Sequence, residues 1–187
     1  MGNSPLKLAL CNTDPAEHQH QRLVTAKAAE ETAANAAQAA ELEAGKHAYV
    51  LGDLDRAKRS FALLEDRKEA SVFLGNIALS EGDAPAATAY FREALSYAPS
   101  SAVALFNLST ALHREGKLQE AMGELERLLG LHPDHSDGAF NLAVMKHQAG
   151  ELTVARVYYG LALELNPSCR EARTALKSLP GTSGLAG

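Results

Sequence analysis

The stretch Ala104-Leu-Phe-Asn-Leu-Ser-Thr-Ala-Leu-His-Arg-Glu-Gly116 decides the fold of this chain. Its apolar residues recur at helical spacing. It ends at a glycine, a residue that readily takes the left-handed conformation with which helices end. A second stretch with helical spacing follows over Lys117–Leu129, and Pro133 blocks its continuation. The sequence therefore predicts two helices joined by a turn at Gly116.

This two-helix unit repeats along the chain at one constant spacing, which equals the distance in sequence from Pro99 to Pro133 and from Pro133 to Pro167. The residues that share this period are Leu74, Leu108 and Leu142; Gly82, Gly116 and Gly150; Ala87, Ala121 and Ala155; Phe91, Leu125 and Tyr159; and the three prolines. Such internal repetition indicates stacked copies of one supersecondary unit rather than a single globular core.

The period divides the chain into segments. We predict three complete units at residues 68–101, 102–135 and 136–169. Gly52, Ala57 and Phe61 match the same landmarks upstream, which predicts a degenerate first unit at residues 38–67, shorter and without the terminal proline. Residues 170–179 suit a capping helix with a polar outer face. Residues 1–15 are expected to form a flexible tail and residues 180–187 a disordered one.

Residues 16–37 are predicted to form an Ala-rich N-terminal helix. Ala, Glu, Gln and Lys, all strong helix formers, dominate this part of the sequence, whereas large apolar residues are scarce. Two interpretations remain open. The helix either lies against the repeats as an extended first helix or joins two copies of the chain, with a homo-oligomer contact through residues 16–44.

Two short patterns predict where later helices begin. Asp66-x-x-Glu69 and Ser168-x-x-Glu171 both resemble capping boxes, in which a side chain at each end satisfies a free backbone N–H group. We expect the first to open the second unit and the second to open the capping helix.

Composition and charge exclude several classes of function. The 187 residues carry a net charge of −5, with acidic and basic side chains interleaved, so we expect no binding to nucleic acid. No apolar run reaches the length of about 20 residues that a membrane span requires. Cys11 and Cys169 lie far apart in unrelated contexts, and no metal-ligand spacing is present. We expect neither a metal nor a cofactor.

The sequence also lacks the motifs of common catalytic sites. It contains no Gly-rich phosphate loop and no nucleophile elbow, so we predict that the protein is not an enzyme. The segment before Cys11 is too short for a signal core, and Leu10 is too large for a lipoprotein cleavage box. We predict a cytoplasmic protein. The alternative is a periplasmic or lipid-anchored protein whose N-terminus has been trimmed or is processed at Cys11.

The repeated landmarks resemble the tetratricopeptide repeat, a two-helix unit of this length. Its pattern of Leu-Gly, Ala, aromatic, Ala and Pro is matched in the second unit by Leu74-Gly75, Ala87, Phe91, Ala94 and Pro99. The resemblance implies an all-α, right-handed superhelical solenoid. Its first helices would line a concave groove, which in this family usually holds an extended peptide or a partner helix.

The resemblance also implies which side chains face the groove. They are Val72, Asn76, Phe106, Asn107, Thr110, His113, Arg114, Phe140, Asn141, Val144 and His147. Phe106 and Phe140 should form an apolar floor. The amides of Asn107 and Asn141 can donate to and accept from a peptide backbone at once, or can instead satisfy polar groups between helices; both interpretations remain open.

We therefore expect a non-enzymatic adaptor or scaffold that binds a partner peptide or helix. Two alternatives are a bacterial secretion or pilus assembly chaperone, and an oligomeric scaffold assembled through the N-terminal helix. One subclass of the family grips an acidic C-terminal carboxylate with Lys and Arg side chains. Here Val72, Asp137 and Asn141 stand at the three basic places, so the desolvation of a carboxylate would not be offset. We reject that specificity.

Overall fold

The computed structural model describes residues 15–65 and 67–180. Over these ranges the chain forms nine α-helices and no strand, which confirms the all-α fold. They are α1 (Pro15–Val50), α2 (Leu54–Ala62), α3 (Ala70–Glu81), α4 (Ala84–Tyr97), α5 (Ala102–Arg114), α6 (Leu118–Leu131), α7 (Ser136–Gln148), α8 (Leu152–Leu165) and α9 (Arg170–Ser178).

Helix packing follows chain order. Each helix packs against the next one, and α3 also contacts α1 and α5. Contacts between successive units are the defining property of a solenoid, because no single core gathers the whole chain. The predicted turns at Gly82, Gly116 and Gly150 have φ angles of 83°, 78° and 80°. These angles lie in the left-handed region, which glycine adopts without the steric cost of a Cβ atom.

The buried apolar residues form three clusters along the solenoid. The first joins α1, α2 and α3 around Phe61, Leu74 and Ile77. The central cluster joins residues from α3 to α7 and includes Phe91 and Leu125. The third joins α7, α8 and α9 around Tyr159, Ala172 and their neighbours. Each cluster therefore spans more than one helix pair and ties consecutive pairs together.

The first helix pair is shorter than those that follow. The helix α2 has 9 residues, whereas α4 has 14. The landmark glycine Gly52 accordingly lies closer in sequence to Gly82 than Gly82 lies to Gly116, and Phe61 is displaced in the same way. The residues that α2 lacks fall after Phe61, so its last turn is missing while Phe61 itself stays buried.

The N-terminal part of α1 projects from the solenoid. The helix runs without a break from Pro15 to Val50 and so crosses the boundary expected at residue 38. Every side chain from residue 19 to 37 is exposed, including Leu23 at 64% and Val24 at 49%. The interpretation that this segment lies against the repeats is therefore wrong. Alanine methyl groups and two isolated apolar side chains offer too little area for such packing.

The predicted capping boxes are not formed as expected. Asp66 lies outside the described residues, and the N-cap residue of α3, Glu69, makes no side-chain bond to the helix. The prediction of a capping box at Ser168 is wrong, since the N-cap residue of α9 is Cys169. The Ser168 hydroxyl instead donates to Oδ1 of Asn166 at 2.6 Å.

Some sequence-based predictions fall on parts of the chain that the structure does not describe. The two predicted tails lie outside the described residues except for Pro15 and Pro180, and so does Cys11. Among the helices that are described, none combines the length and apolar character needed to cross a membrane.

Candidate functional site

The first helices of successive pairs, α1, α3, α5 and α7, form the surface on which the predicted groove residues lie. We call it the first-helix face. On this face α3 contacts both α1 and α5. The predicted residues are mostly half-buried here, because their side chains emerge between helices rather than into the core or fully into solvent. Arg114 and His147 are more exposed.

A cleft of about 190 Å³ lies on this face between α5 and α7. The residues that line it are Thr110 and His113 from α5, with Phe140, Asn141, Val144 and Met145 from α7. Five of these six were predicted groove residues, and the spacing of the two helices brings them together. We call this space the α5–α7 cleft. Its floor is apolar, and its rim carries a hydroxyl, an amide and an imidazole.

Two of the predicted asparagines bond to each other. Asn107 on α5 donates from Nδ2 to Oδ1 of Asn76 on α3 at 2.8 Å. For this pair, the structure agrees with the interpretation in which the amides satisfy polar groups between helices. Asn141 occupies the place one period after Asn107, and its side chain lines the α5–α7 cleft instead.

The two predicted groove aromatics have different surroundings. The ring of Phe106 stacks on the imidazole of His135, with centroids 5.3 Å apart, and packs against the central cluster. The ring of Phe140 lies 5.9 Å from that of Tyr159 and packs against the third cluster. Phe140 lines the α5–α7 cleft, whereas Phe106 stacks on the N-cap residue of α7. Val72 and Val144 likewise pack on the central and third clusters, respectively.

The predicted basic and imidazole groups have partners within the protein. Nε2 of His113 lies 2.8 Å from Oε1 of Gln148, so a hydrogen bond joins α5 to the end of α7. Arg114 donates to the backbone carbonyl of Leu79 at 2.7 Å, which ties α5 to the end of α3.

The ring of His147 meets Tyr159 edge-on, with centroids 6.4 Å apart. Burial raises the pKa of the Tyr159 phenol. The phenol therefore stays neutral at physiological pH, and this end of the face carries no phenolate.

A second cleft, of about 260 Å³, lies where α1 leaves the solenoid. It is lined by Asn35, Gln38, Ala39 and Leu42 from α1, by Leu64 and Glu65 after α2, and by Lys68 and Glu69 before α3. Gln38 joins α1 to the segment after α2 in this cleft, because its Oε1 accepts from the Glu65 N–H group at 2.9 Å.

An ion pair links α1 to the start of α3 near this second cleft. The Lys46 ammonium donates to Glu69 at 2.8 Å and to Glu43 at 3.0 Å. The hydrogen bond to Glu69, and next the one to Glu43, raise the pKa of Lys46. The lysine is therefore fully charged at neutral pH and occupied by two carboxylates.

Sequence reasoning missed two residues of this surface. Met145 lines the α5–α7 cleft although alanine stands one period earlier, so the repeat pattern gave no signal for it. His135 stacks on Phe106 and caps α7, which its place in a turn beside a proline did not reveal.

Within the described ranges, no three His, Cys, Asp or Glu side chains come together in a way that could hold a metal ion. The chemistry that the first-helix face offers is therefore apolar contact, amide and hydroxyl hydrogen bonding, and the imidazoles at its edge.

The repeat landmarks and the solenoid packing define the class of protein. Two family models described as tetratricopeptide repeat match residues 42–102 and 78–143, which together span more than half of the chain. The chain belongs to the tetratricopeptide-repeat family. No curated protein matches its sequence.

Solved structures share the fold. A structure of the MamA protein has a TM-score of 0.71 at 20% identity and covers 75% of this chain and 79% of its own. The protein YrrB, described as having an unusual peptide-binding site, has a TM-score of 0.68 at 23% identity and covers 75% and 74%. The first repeat domain of Spaghetti (RPAP3), bound to the HSP90 peptide SRMEEVD, has a TM-score of 0.58 at 19% identity, covering 60% of this chain and 90% of its own. At these identities the likeness shows the fold alone.

Proposed function

We propose that this protein is a non-enzymatic adaptor that holds an extended peptide or a helix of a partner protein on its first-helix face. The observation that carries the proposal is the α5–α7 cleft, where five predicted groove residues meet on two neighbouring helices. An apolar floor with a few polar groups at its rim is the usual composition of a binding site. Two solved relatives of the fold are described in terms of peptide binding, which agrees with this use of the surface.

The charges of the first-helix face favour a partner segment without acidic groups. Arg114 is bonded to a backbone carbonyl, and Lys46 is bonded to two carboxylates. A carboxylate of a bound peptide would have to displace a partner of Lys46, and Arg114 alone would have to compensate for its lost hydration. The acidic peptide bound by the RPAP3 domain is therefore not the type of ligand we propose here.

A second candidate function is an oligomeric scaffold joined through α1. The observation that favours it is the exposure of every side chain from residue 19 to 37 in a continuous helix. Helices without tertiary packing are marginally stable in water, so a partner helix would stabilise this segment. In this alternative the oligomer contact lies on α1, and the first-helix face stays available for another protein.

A dodecapeptide library displayed on phage tests the adaptor function on the full chain. Selected peptides should lose about tenfold or more in affinity when Thr110→Glu introduces a charge into the α5–α7 cleft. They should bind Val157→Glu normally, because Val157 lies on α8 and is 65% exposed. Melting curves of both variants establish that each is folded.

The same selection defines the contrary results. Peptides that bind Thr110→Glu as well as the unchanged chain would place recognition on another surface. A selection that enriches no peptide at all would contradict the adaptor function.

A further inference from the structure

The second helix of the pair α7–α8 carries a row of aliphatic side chains on a side that does not face the core. Its buried residues are Ala155, Tyr159 and Ala162. Four aliphatic residues follow one another at spacings of three and four positions, which groups them on a different side of the helix. They are Val154, Val157, Leu161 and Leu165. We call them the α8 stripe. All but the half-buried Leu161 are exposed, Val157 to 65%.

The repeat itself does not require apolar residues at three of these four places. One period before Val154, Val157 and Leu161, helix α6 has Glu120, Gly123 and Arg127. Two periods before, helix α4 has Ala86, Ala89 and Glu93. Exposed aliphatic side chains there add little to the packing of the solenoid, whereas contiguous exposed apolar surface marks interaction sites.

The stripe faces α6 across a space that is bridged in the preceding pair. Arg92 on α4 donates to Glu120 on α6 at 3.0 Å, so an ion pair joins these two second helices. One period later the corresponding residues are Glu126 and Val154, which cannot form an ion pair. Glu126 instead pairs with Lys146 on α7 at 3.1 Å. Val154 therefore lies on the side of α8 that faces α6, without such a bridge.

The shape of this region suits a helix. The stripe extends over three helical turns, which is roughly 16 Å. On α6, Gly123 corresponds to Val157, and Gly130 follows seven residues later on the same side. A Cβ atom at either glycine would meet no other atom within 4 Å, so the α6 backbone is open to close approach beside the stripe.

Carboxylates lie on both sides of the stripe. Glu164 precedes Leu165 and is exposed, and within the described ranges its side chain makes no hydrogen bond or ion pair. On the α6 side, Glu126 is half exposed despite its contact with Lys146. These charges favour a partner with basic side chains beside its apolar residues and disfavour an anionic lipid surface.

The size of the stripe argues against a second copy of the chain as its occupant. A standard interface buries about 800 Å² on each partner. Four aliphatic side chains, one of them half-buried, offer much less than this. A helix that lies between α6 and α8 would contact the stripe and the glycine side of α6 together.

We propose that the α8 stripe is a docking surface for an amphipathic helix of a partner protein. Apolar residues of that helix, spaced by three and four positions, contact the stripe. Its Lys or Arg side chains lie beside them and meet Glu126 and Glu164. The stripe shares no residue with the first-helix face, so this inference does not depend on the proposed adaptor function and adds a second partner to it.

A synthetic helix tests the surface on the full chain. The probe is an 18-residue peptide of leucine and lysine with its leucines at spacings of three and four, long enough to form a helix. It is titrated into the isotope-labelled protein, and NMR follows the methyl groups of the stripe. We expect saturable shifts there. A peptide of equal composition without a leucine face should bind about tenfold more weakly. Glutamate in place of lysine should abolish the saturable shifts.

Variants separate docking on the stripe from nonspecific attraction. Val157→Ser removes the most exposed apolar side chain of the stripe and should weaken binding about tenfold. Val103→Ser is the matched control, because Val103 lies on α5 and is 57% exposed; binding should stay within about twofold. Glu164→Lys should weaken binding about fivefold. Glu30→Lys, on the exposed part of α1, changes the net charge equally and should change binding by less than about twofold.

The contrary results are distinct from those of the adaptor function. Probe shifts confined to the first-helix face, or unchanged affinity in Val157→Ser, would overturn the α8 stripe as a docking surface and leave the adaptor function standing. Equal binding of the lysine and glutamate probes would overturn the proposed charge of the partner helix. Stripe shifts that depend on protein concentration without any peptide, and that vanish in Val157→Ser, would identify a second copy as the occupant and overturn the partner helix.

Discussion

Gly75 on α3 lies directly against the ring of Phe91 on α4, so close that a Cβ atom at position 75 would come within 2.5 Å of Cε1 of that ring. The first pair has the same arrangement, since a Cβ atom at Gly45 would meet Cε1 of Phe61 at 2.5 Å. Both rings are completely buried. The glycines therefore permit a close approach of two helices, with the aromatic ring filling the place of the missing side chain.

Replacement of Gly75 by alanine should destabilise the protein by about 1–3 kcal/mol, because the added methyl group overpacks a filled contact. Gly123→Ala is the matched control. Gly123 lies inside α6 with open space around its Cα, so alanine should stabilise the helix by about 0.5–1 kcal/mol. Urea denaturation of both variants gives the two free energies of unfolding.

A second substitution checks the cause of the Gly75 effect. Phe91→Leu shortens the ring side chain and should recover part of the loss in the Gly75→Ala background, so the two changes should be non-additive. The contact between a glycine and an aromatic ring is absent from the third pair, because serine and leucine stand at the equivalent positions 109 and 125. Strictly additive free energies would contradict the proposed contact.

An acidic residue at the end of the first helix joins each of two helix pairs, α3–α4 and α5–α6, to the pair before it. Glu81, at the end of α3, accepts two hydrogen bonds of 2.9 Å from Lys58 on α2. Glu115 is the equivalent residue of the next pair and accepts from the hydroxyl of Thr88 on α4. Glu115 also pairs with Lys117 at 2.7 Å, and its side chain is only 10% exposed. These contacts hold the turn after α3 against α2 and the turn after α5 against α4.

The contacts of Glu115 predict a pH dependence of stability. Hydrogen bonds from Lys117 and then Thr88 lower the pKa of Glu115 below its ordinary value of 4.5. As the pH falls through 4.5, the unfolded chain takes up this proton first, and stability is lost until the pH passes the folded-state pKa. Glu115→Gln removes this contribution. The difference in Tm between the unchanged protein and the variant should be largest at neutral pH and should shrink in acid.

Thermal melting over an acidic pH series measures that difference. Glu164→Gln on α8 serves as the control, since Glu164 is exposed. A Tm difference for Glu115→Gln that stays constant over the whole pH series would show that the carboxylate charge is not its source.

Helix crossing at the alanine positions gives another prediction. Ala121 is completely buried, whereas Ala89 on α4 is exposed. Leucine at position 121 adds three carbon atoms to a filled space and should cost about 1–3 kcal/mol. Leucine at position 89 should change stability by no more than about 0.5 kcal/mol. Equal shifts in Tm would mean that the register of the repeats is wrong.

Most of the fold was predictable from the sequence, because the residues that recur at one period are those that pack the helices and form the turns. Gly82, Ala87 and Phe91 each have a fixed structural role, in the turn, the helix crossing and the gap between helices. When such residues recur at one spacing, the helices and turns follow. The missing turn of α2 was also visible, since the landmarks of the first unit are closer to those of the second.

The candidate site was less predictable because it depends on partners that the period does not specify. Asn107 and Asn141 are equivalent in sequence, yet only Asn107 has an asparagine on the first helix of the preceding pair to bond with. Phe106 and Phe140 are equivalent as well, but His135 stacks on the first of them. A single non-repeated neighbour therefore decides whether a groove position is open or occupied.

The start of α7 depends on an unusual cap. The Gly138 N–H group donates to Nδ1 of His135 at 3.0 Å, which replaces the usual Ser, Thr, Asp or Asn at this position. His135→Ala removes the cap and the stacking on Phe106, whereas His135→Asn keeps an acceptor at the N-cap. We expect the asparagine variant to be more stable than the alanine variant by about 1 kcal/mol. Equal urea midpoints of the two variants would show that the hydrogen bond contributes nothing.

The projecting part of α1 predicts that the chain can be shortened without loss of the fold. All side chains from residue 19 to 37 are exposed, and Gln38 is the first to hold another segment, through the Glu65 N–H group. A chain that begins at Asn35 should therefore keep its Tm within about 2 °C when both forms are monomeric. Gln38→Ala should lower the Tm, because it leaves that N–H group without its protein partner.

Sedimentation at several protein concentrations establishes where the full chain and the shortened chain are both monomeric. If the full chain self-associates and the shortened chain does not, α1 is the oligomer contact. A large drop in the Tm of the shortened chain at concentrations where both forms are monomeric would instead mean that the projecting helix supports the repeats.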